Sequence, residues 1–117
     1  GMPLREFLHV DDMADASLFL LDLEKAIYKK ALSNEYTHIN IGSGVENSIV
    51  DLARLICQII GYEGQLIVDK RKPDGSPRKL LDISRLKELG WKPKIGLEEG
   101  LELTYEWFLS KQDSIRS

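Results

Sequence analysis

Pro73-Asp74-Gly75-Ser76-Pro77-Arg78-Lys79 is the stretch on which the reading of this chain turns. Proline at 73 presets φ, and Asp74-Gly75 supports a tight turn. Pro77 then forces Ser76 to be extended, so Arg78 and Lys79 leave the turn from a stiff base. Arginine offers a planar fork suited to phosphate or carboxylate, and lysine supplies a point charge. Lys70, Arg71 and Lys72 lie just upstream, so the plain alternative is a solvated basic turn. A second charged segment, Arg5-Glu6-Phe7-Leu8-His9-Val10-Asp11-Asp12, lies far earlier. Its plain alternative is an Arg–Glu pair beside a core phenylalanine, with His9 a structural histidine.

Helices and strands alternate around these two segments. Residues 5–10 read as extended, after which Asp11 or Asp12 can cap a helix running to about Lys30. Thr37 to Gly42 alternates and is β-branched, which predicts a strand closed by the turn Gly42-Ser43-Gly44. Ser48 is a good N-cap, and Ile49, Leu52, Ala53, Ile56, Ile59 and Ile60 follow at helical spacing until Gly61. Gln65 to Asp69 predicts another strand. A short helix spans Ser84 to Leu89 before Gly90, and a last helix runs from about Leu97 to Ser110, with Glu98 and Glu99 at its positive end. The expected fold is a small α/β unit, one domain over residues 1–117.

The first helix carries Ala16, Leu18, Phe19, Leu20, Leu21 and Leu23 around most of its circumference. Such a helix is normally buried on more than one side. Four large side chains left in water would forfeit roughly 6–12 kcal/mol at about 1.5–3 each, comparable with the whole stability of a domain. Either this small domain wraps the helix, or another surface covers it: a further domain or a second copy of the chain.

Composition narrows the function. The chain has 117 residues, 43% hydrophobic and 30% charged, with a net charge of −3. Those are the proportions of an ordinary globular protein. An acidic balance gives no global attraction for nucleic acid or anionic membrane. No apolar run approaches the roughly 20 residues of a spanning helix, and the N-terminus lacks a signal-peptide pattern. Cys57 is the only cysteine, so no internal disulfide can form and a reducing, cytoplasmic setting is expected.

No catalytic centre is legible. Gly42-Ser43-Gly44-Val45-Glu46-Asn47 supplies two glycines of a dinucleotide fingerprint and has Asn47 at the third position, so it reads as a turn. No tyrosine is followed four residues later by lysine. Zinc-type Cys/His spacing is absent. Cys57 sits within an apolar helix and reads as a packing residue; His38 lies in a predicted strand.

The two charged segments closely resemble the C-terminal, substrate-binding portion of the GDP-L-fucose synthases, sugar-nucleotide epimerase/reductases of the extended short-chain dehydrogenase/reductase family. The likeness covers PLREFLHVDDMADA at 3–16, HINIGSG at 38–44, KPDGSPRKLLD at 72–82, RLKELGW at 85–91 and LEEGLELTYEWFL at 97–109. The first of these recurs among many sugar-nucleotide enzymes; PDG-x-PRK-x-LD followed by RL-x-x-LGW is much narrower. The resemblance implies NADPH-dependent conversion of GDP-4-keto-6-deoxy-D-mannose to GDP-L-fucose in a complete enzyme. Its NADP-binding Rossmann half, with the catalytic set, would lie before this chain begins. It further implies that Arg5 and Lys79 contact the GDP-sugar and that Asp74 lies in the same recognition loop. Arg78 either contacts the ligand or braces that loop. The chain alone is then expected to have no catalytic residues and no cofactor site. The first helix and the 37–42 segment would pack on the missing half, and self-association through that exposed surface is expected without it. Two alternatives are a related domain for another nucleotide sugar and a non-catalytic module binding nucleotide or protein.

Overall fold

A computed structural model of the chain describes residues 1–23, 27, 29 and 38–115. In chain order these form β1 (Leu4–Glu6), α1 (Val10–Asp22), β2 (Glu46–Ser48), α2 (Ile49–Ile60), β3 (Arg78–Lys79), α3 (Ser84–Glu88), α4 (Leu97–Ser110) and α5 (Gln112–Ile115). The α/β expectation holds, but the sheet is built from unexpected segments. Its order is β2-β1-β3. β1 runs antiparallel to β2, with Arg5 opposite Asn47 and Glu6 opposite Glu46. It runs parallel to β3, with Leu4 opposite Arg78 and Arg5 opposite Lys79.

Neither predicted strand forms a ladder. Both edges of β1 are occupied by β2 and β3, and residues 65–69 pair with neither outer edge of that sheet. Strand propensity without a partner is not enough. Leu66, Ile67 and Val68 are exposed there, Ile67 at 84%. Of the other predicted strand, Thr37 lies outside the described residues and 38–42 are not strand. Ile39 and Ile41 nevertheless pack on the core, so the alternation was informative about burial rather than about hydrogen bonding.

The capping of α1 also differs from expectation. His9 is the N-cap, its ring accepting from the Asp11 N–H at 3.0 Å. Asp12 is drawn elsewhere: it is 2% exposed, and its carboxylate accepts from the Lys94 N–H at 3.1 Å and the Ile95 N–H at 2.9 Å. One turn on, Asp15 accepts from the Trp91 indole N–H at 2.9 Å and pairs with the Lys94 ammonium at 3.0 Å. Two successive acids on one side of α1 thus fasten the segment between α3 and α4. Beneath them Ala16, Leu86 and Trp91 form the buried core, with Leu8, Phe19, Leu20, Ile39 and Ile41 packed against it. The helix described for α1 ends at Asp22, and the remainder of its predicted length falls outside a continuous described stretch.

α2 follows its sequence signals closely. The Ser48 hydroxyl accepts from the Asp51 N–H at 3.1 Å, and Gly61 ends the helix in the left-handed conformation at φ 74°. Two first-turn donors also find carbonyls: Ile49 donates to Pro3 and Val50 to Gly1. α2 packs on α4. No residue of α2 is fully buried.

The described residues cover α1 on one side only. Leu18 and Leu21 are 61% and 79% exposed. The surface of 9098 Å² compares with about 6,500 Å² expected of a compact monomer of this mass. The radius of gyration, 17.7 Å, compares with about 13 Å for a compact domain of this length. Among the described residues, Ala16 and Asp12 of α1 are covered, whereas Leu18 and Leu21 are not. Among the described residues no helix is long and apolar enough to cross a membrane.

Candidate functional site

The sheet joins the two charged segments, which lie far apart in sequence, by setting Arg5 opposite Lys79. Three features fix the 73–79 turn to β1. The Leu4 N–H donates to the Pro77 carbonyl at 2.9 Å. Arg5 Nη1 donates to the Ser76 carbonyl at 2.8 Å and to its neighbour Leu4 at 2.7 Å. Gly75 then permits close approach, since a Cβ there would come within 3.1 Å of Arg5 Nη2. The expected Arg5–Glu6 pair does not form; alternate strand residues face opposite sides, and each goes to its own partner.

The same alternation sorts the cations of the turn. Arg5 and Lys79 are register partners and therefore share one face of the sheet, with Asn47. Arg78 falls on the other face, with Leu4, Glu6 and Glu46. There its Nε donates to Glu46 Oε1. That hydrogen bond and the carboxylate's charge make the guanidinium harder to deprotonate than usual. Lys79 is exposed. Asp74 is also exposed, and its carboxylate stands 3.7 Å from the Gly1 amino nitrogen. Upstream, Arg71 forks onto Asp69 through Nε at 3.0 Å and Nη2 at 3.3 Å, lowering the Asp69 pKa. That part of the basic run is paired within itself.

On the Glu6 face the glycine turn folds over a carboxylate. Glu6 Oε2 accepts from the Gly44 N–H at 2.7 Å. A Cβ on Gly42 would meet that carboxylate at 2.6 Å, and Gly44 has φ +74°. The need for glycine at both positions is therefore internal. This settles how the turn relates to a dinucleotide phosphate. Its backbone donor faces a carboxylate, a poor setting for another anion, and β2 rather than a helix follows it. The residues do not fit the phosphate cradle of a nicotinamide cofactor. Among the described residues no group of acids, histidines and cysteine could hold a metal.

An open cleft of about 580 Å³ adjoins the edge, lined by Gly44, Arg78, residues 80–84 and Lys87. Its acidic member, Asp82, accepts from the Ser84 N–H at 3.0 Å, which lowers its pKa. His9 does not reach the edge; its ring packs where a side chain on Gly100 would have to go, 3.3 Å away. The site residues read from sequence are thus distributed over two faces: Arg5 and Lys79 together, Arg78 opposite, and Asp74 in the connecting turn. Sequence reasoning missed Glu46 and Glu6. The signal available was their alternation with Asn47 and Arg5, which required recognising β2.

No protein-family model matches the chain. Among curated relatives, the GDP-L-fucose synthase of Escherichia coli (strain K12) is 49% identical over 116 residues, which is 99% of this chain and 36% of that protein. A solved GDP-D-glycero-L-gluco-heptose synthase from Campylobacter jejuni, determined in the presence of NADPH, aligns with a TM-score of 0.81 at 35% identity. The alignment covers 93% of this chain and 31% of that one. UDP-glucose 4-epimerase of Thermotoga maritima, solved with UDP-glucose, gives a TM-score of 0.77 at 31% identity over 96% of this chain and 33% of its own. The chain spans about a third of the length of these relatives. Over that third it matches GDP-L-fucose synthase, and its α/β fold is shared with short-chain dehydrogenase/reductase-type epimerases and reductases of nucleotide sugars.

Proposed function

We propose that this chain is the GDP-sugar-binding portion of an epimerase/reductase of the GDP-L-fucose synthase type. The complete enzyme would convert GDP-4-keto-6-deoxy-D-mannose to GDP-L-fucose with NADPH held by a separate Rossmann domain. One observation carries the reading: the register that sets Arg5 beside Lys79 on a single face, from two segments that both match the relatives. Two cations on one sheet face, one a planar fork and one a point charge, suit a diphosphate. Asp74 lies in the turn that leads to Lys79. The tether from Arg5 to the Ser76 carbonyl keeps that turn against β1 before ligand arrives, reducing the ordering cost of binding.

The 42–44 turn does not suit a dinucleotide phosphate, and with NADPH held by the separate Rossmann domain the chain alone would not orient a hydride donor, a step that supplies much of such an enzyme's rate. NADPH oxidation by the purified chain with a GDP-4-keto sugar should therefore stay at the buffer rate. Binding is tested by following backbone amide shifts during titration with GDP-fucose, with UDP-glucose as control. Selective movement of Arg5 and of residues 74–79 with GDP-fucose is the expected result. Equal movement with UDP-glucose would favour the second reading, a domain for another nucleotide sugar, to which the likeness with a UDP-glucose epimerase lends support. Silence with both ligands would remove the binding role.

A further inference from the structure

We infer that Glu46 is a positioning residue for the diphosphate edge: by holding Arg78 on the Glu6 face it fixes the register of β3 and so keeps Lys79 beside Arg5. The inference rests on the proposed function for the identity of the ligand, but its structural part stands without it.

β3 is only two residues long and sits at the edge of the sheet. Sliding it by one residue relative to β1 would exchange its faces. Arg78 would then stand beside Arg5, and Lys79 would move to the side of the two carboxylates. Neither the Leu4–Pro77 nor the Arg5–Ser76 hydrogen bond discriminates strongly between these faces, because both end on backbone carbonyls. A side-chain partner can discriminate, and the Glu46–Arg78 pair reaches across the full width of the sheet, from β2 over β1 to β3.

The charges on that face give the pair its direction. Glu6 and Glu46 lie directly opposite each other on the antiparallel pair, an arrangement that is unfavourable for like charges. Glu6 is answered by the Gly44 N–H, a neutral donor. Glu46 has a side chain only 17% exposed, whereas the guanidinium-bearing side chain of Arg78 is 63% exposed. A largely covered carboxylate beside another carboxylate needs a cation, and a lysine in place of Arg78 would lack the Nε–H that meets Oε1. The ordered pair Arg78-Lys79 is then meaningful. The fork serves the acidic face and the ammonium serves the face of Arg5. Arg78 acts through Lys79 instead of touching the diphosphate.

Two variants test this by NMR. In Glu46→Gln the cross-strand contacts between Leu4 and Arg78 should weaken and the Lys79 amide should exchange faster. Affinity for GDP-fucose should fall roughly threefold to tenfold, the scale of one partly exposed charged hydrogen bond. The exchanged pair Glu46→Arg with Arg78→Glu should restore the Leu4–residue 78 contacts and slow exchange at Lys79. It should also recover the GDP-fucose response at Lys79 to within about threefold of the unmodified chain, a difference smaller than one charged hydrogen bond. Unchanged Leu4–Arg78 contacts in Glu46→Gln would overturn the positioning role. So would an exchanged pair that regains the contacts but not the ligand response, since Arg78 would then be a ligand contact. If the unmodified chain ignores GDP-fucose, the proposed function fails, and the cross-strand contacts alone still decide the role of Glu46.

Discussion

The segment from Trp91 to Ile95 and the turn from Pro73 to Lys79 are fastened to the rest of the chain in the same chemical language and to opposite effect. Each is joined through charged side chains to a residue more than 70 positions away. In the first, the acids belong to α1 and the donors are backbone N–H groups, an indole and the Lys94 ammonium. Asp12 is 2% exposed and fully committed. In the second, Arg78 and Asp74 are each 63% exposed, and Lys79 projects from an edge. Exposed ion pairs contribute little to stability, about 0–1 kcal/mol, whereas an unpaired buried acceptor or donor costs about 1–3. The first cluster is explained by folding. The second gains little from folding, and under the proposed function its exposed charges serve a ligand.

Several variants can break or sharpen that contrast. The largest expected effect lies beneath the buried cluster, where Leu86→Ala should cost roughly 2–5 kcal/mol in urea unfolding. Asp12→Ala should follow closely, at about 3 kcal/mol, because the Lys94 and Ile95 N–H groups lose a charged acceptor. Gly44→Ala should cost about 1–3 kcal/mol from its positive φ, a penalty compounded because the new Cβ would meet Ile83 Cδ1 at 2.9 Å. Lys79→Ala is the opposite kind of variant. Its unfolding midpoint should be unchanged within about 0.5 kcal/mol, while the response to GDP-fucose is lost. A large loss of stability in Lys79→Ala would erase the distinction between the two regions.

Acid provides the smallest and most local test. Hydrogen bonds from Trp91 and Lys94 and the Lys94 charge hold the Asp15 pKa below its ordinary 3.8. A lowered folded-state pKa contributes stability that is complete above the unfolded value and is lost as pH falls toward the folded one. Asp15→Asn should therefore flatten the acid limb of the stability curve below about pH 4 and leave neutral pH little changed. A limb of undiminished slope would show that the acid sensitivity arises elsewhere.

What could be read from the sequence follows from how local each signal is. Ser48, Gly61 and Gly90 mark helix ends through their own side chain or backbone preference, and α2, α3 and α4 appear where expected. The strands could not be read that way. Residues 65–69 have a strand's composition but join no strand, while Glu46–Ser48 and Arg78–Lys79 are strands because each pairs with β1. Asp12 shows the same limit within a helix: its sequence position suits capping, yet two donors 82 and 83 positions away claim it. For the candidate site, the motifs pointed to Arg5, Asp74, Arg78 and Lys79. Their division between two faces depends on register, which no local pattern encodes.

Phosphorus NMR of GDP-fucose reports on the diphosphate itself and so shows whether the Arg5–Lys79 face binds it. The account predicts that the two diphosphate resonances broaden and shift on adding the chain, and that Lys79→Ala abolishes the change while Lys92→Ala, outside the edge, preserves it. Diphosphate resonances that respond equally to the unmodified chain and to Lys79→Ala, or to neither, would contradict it.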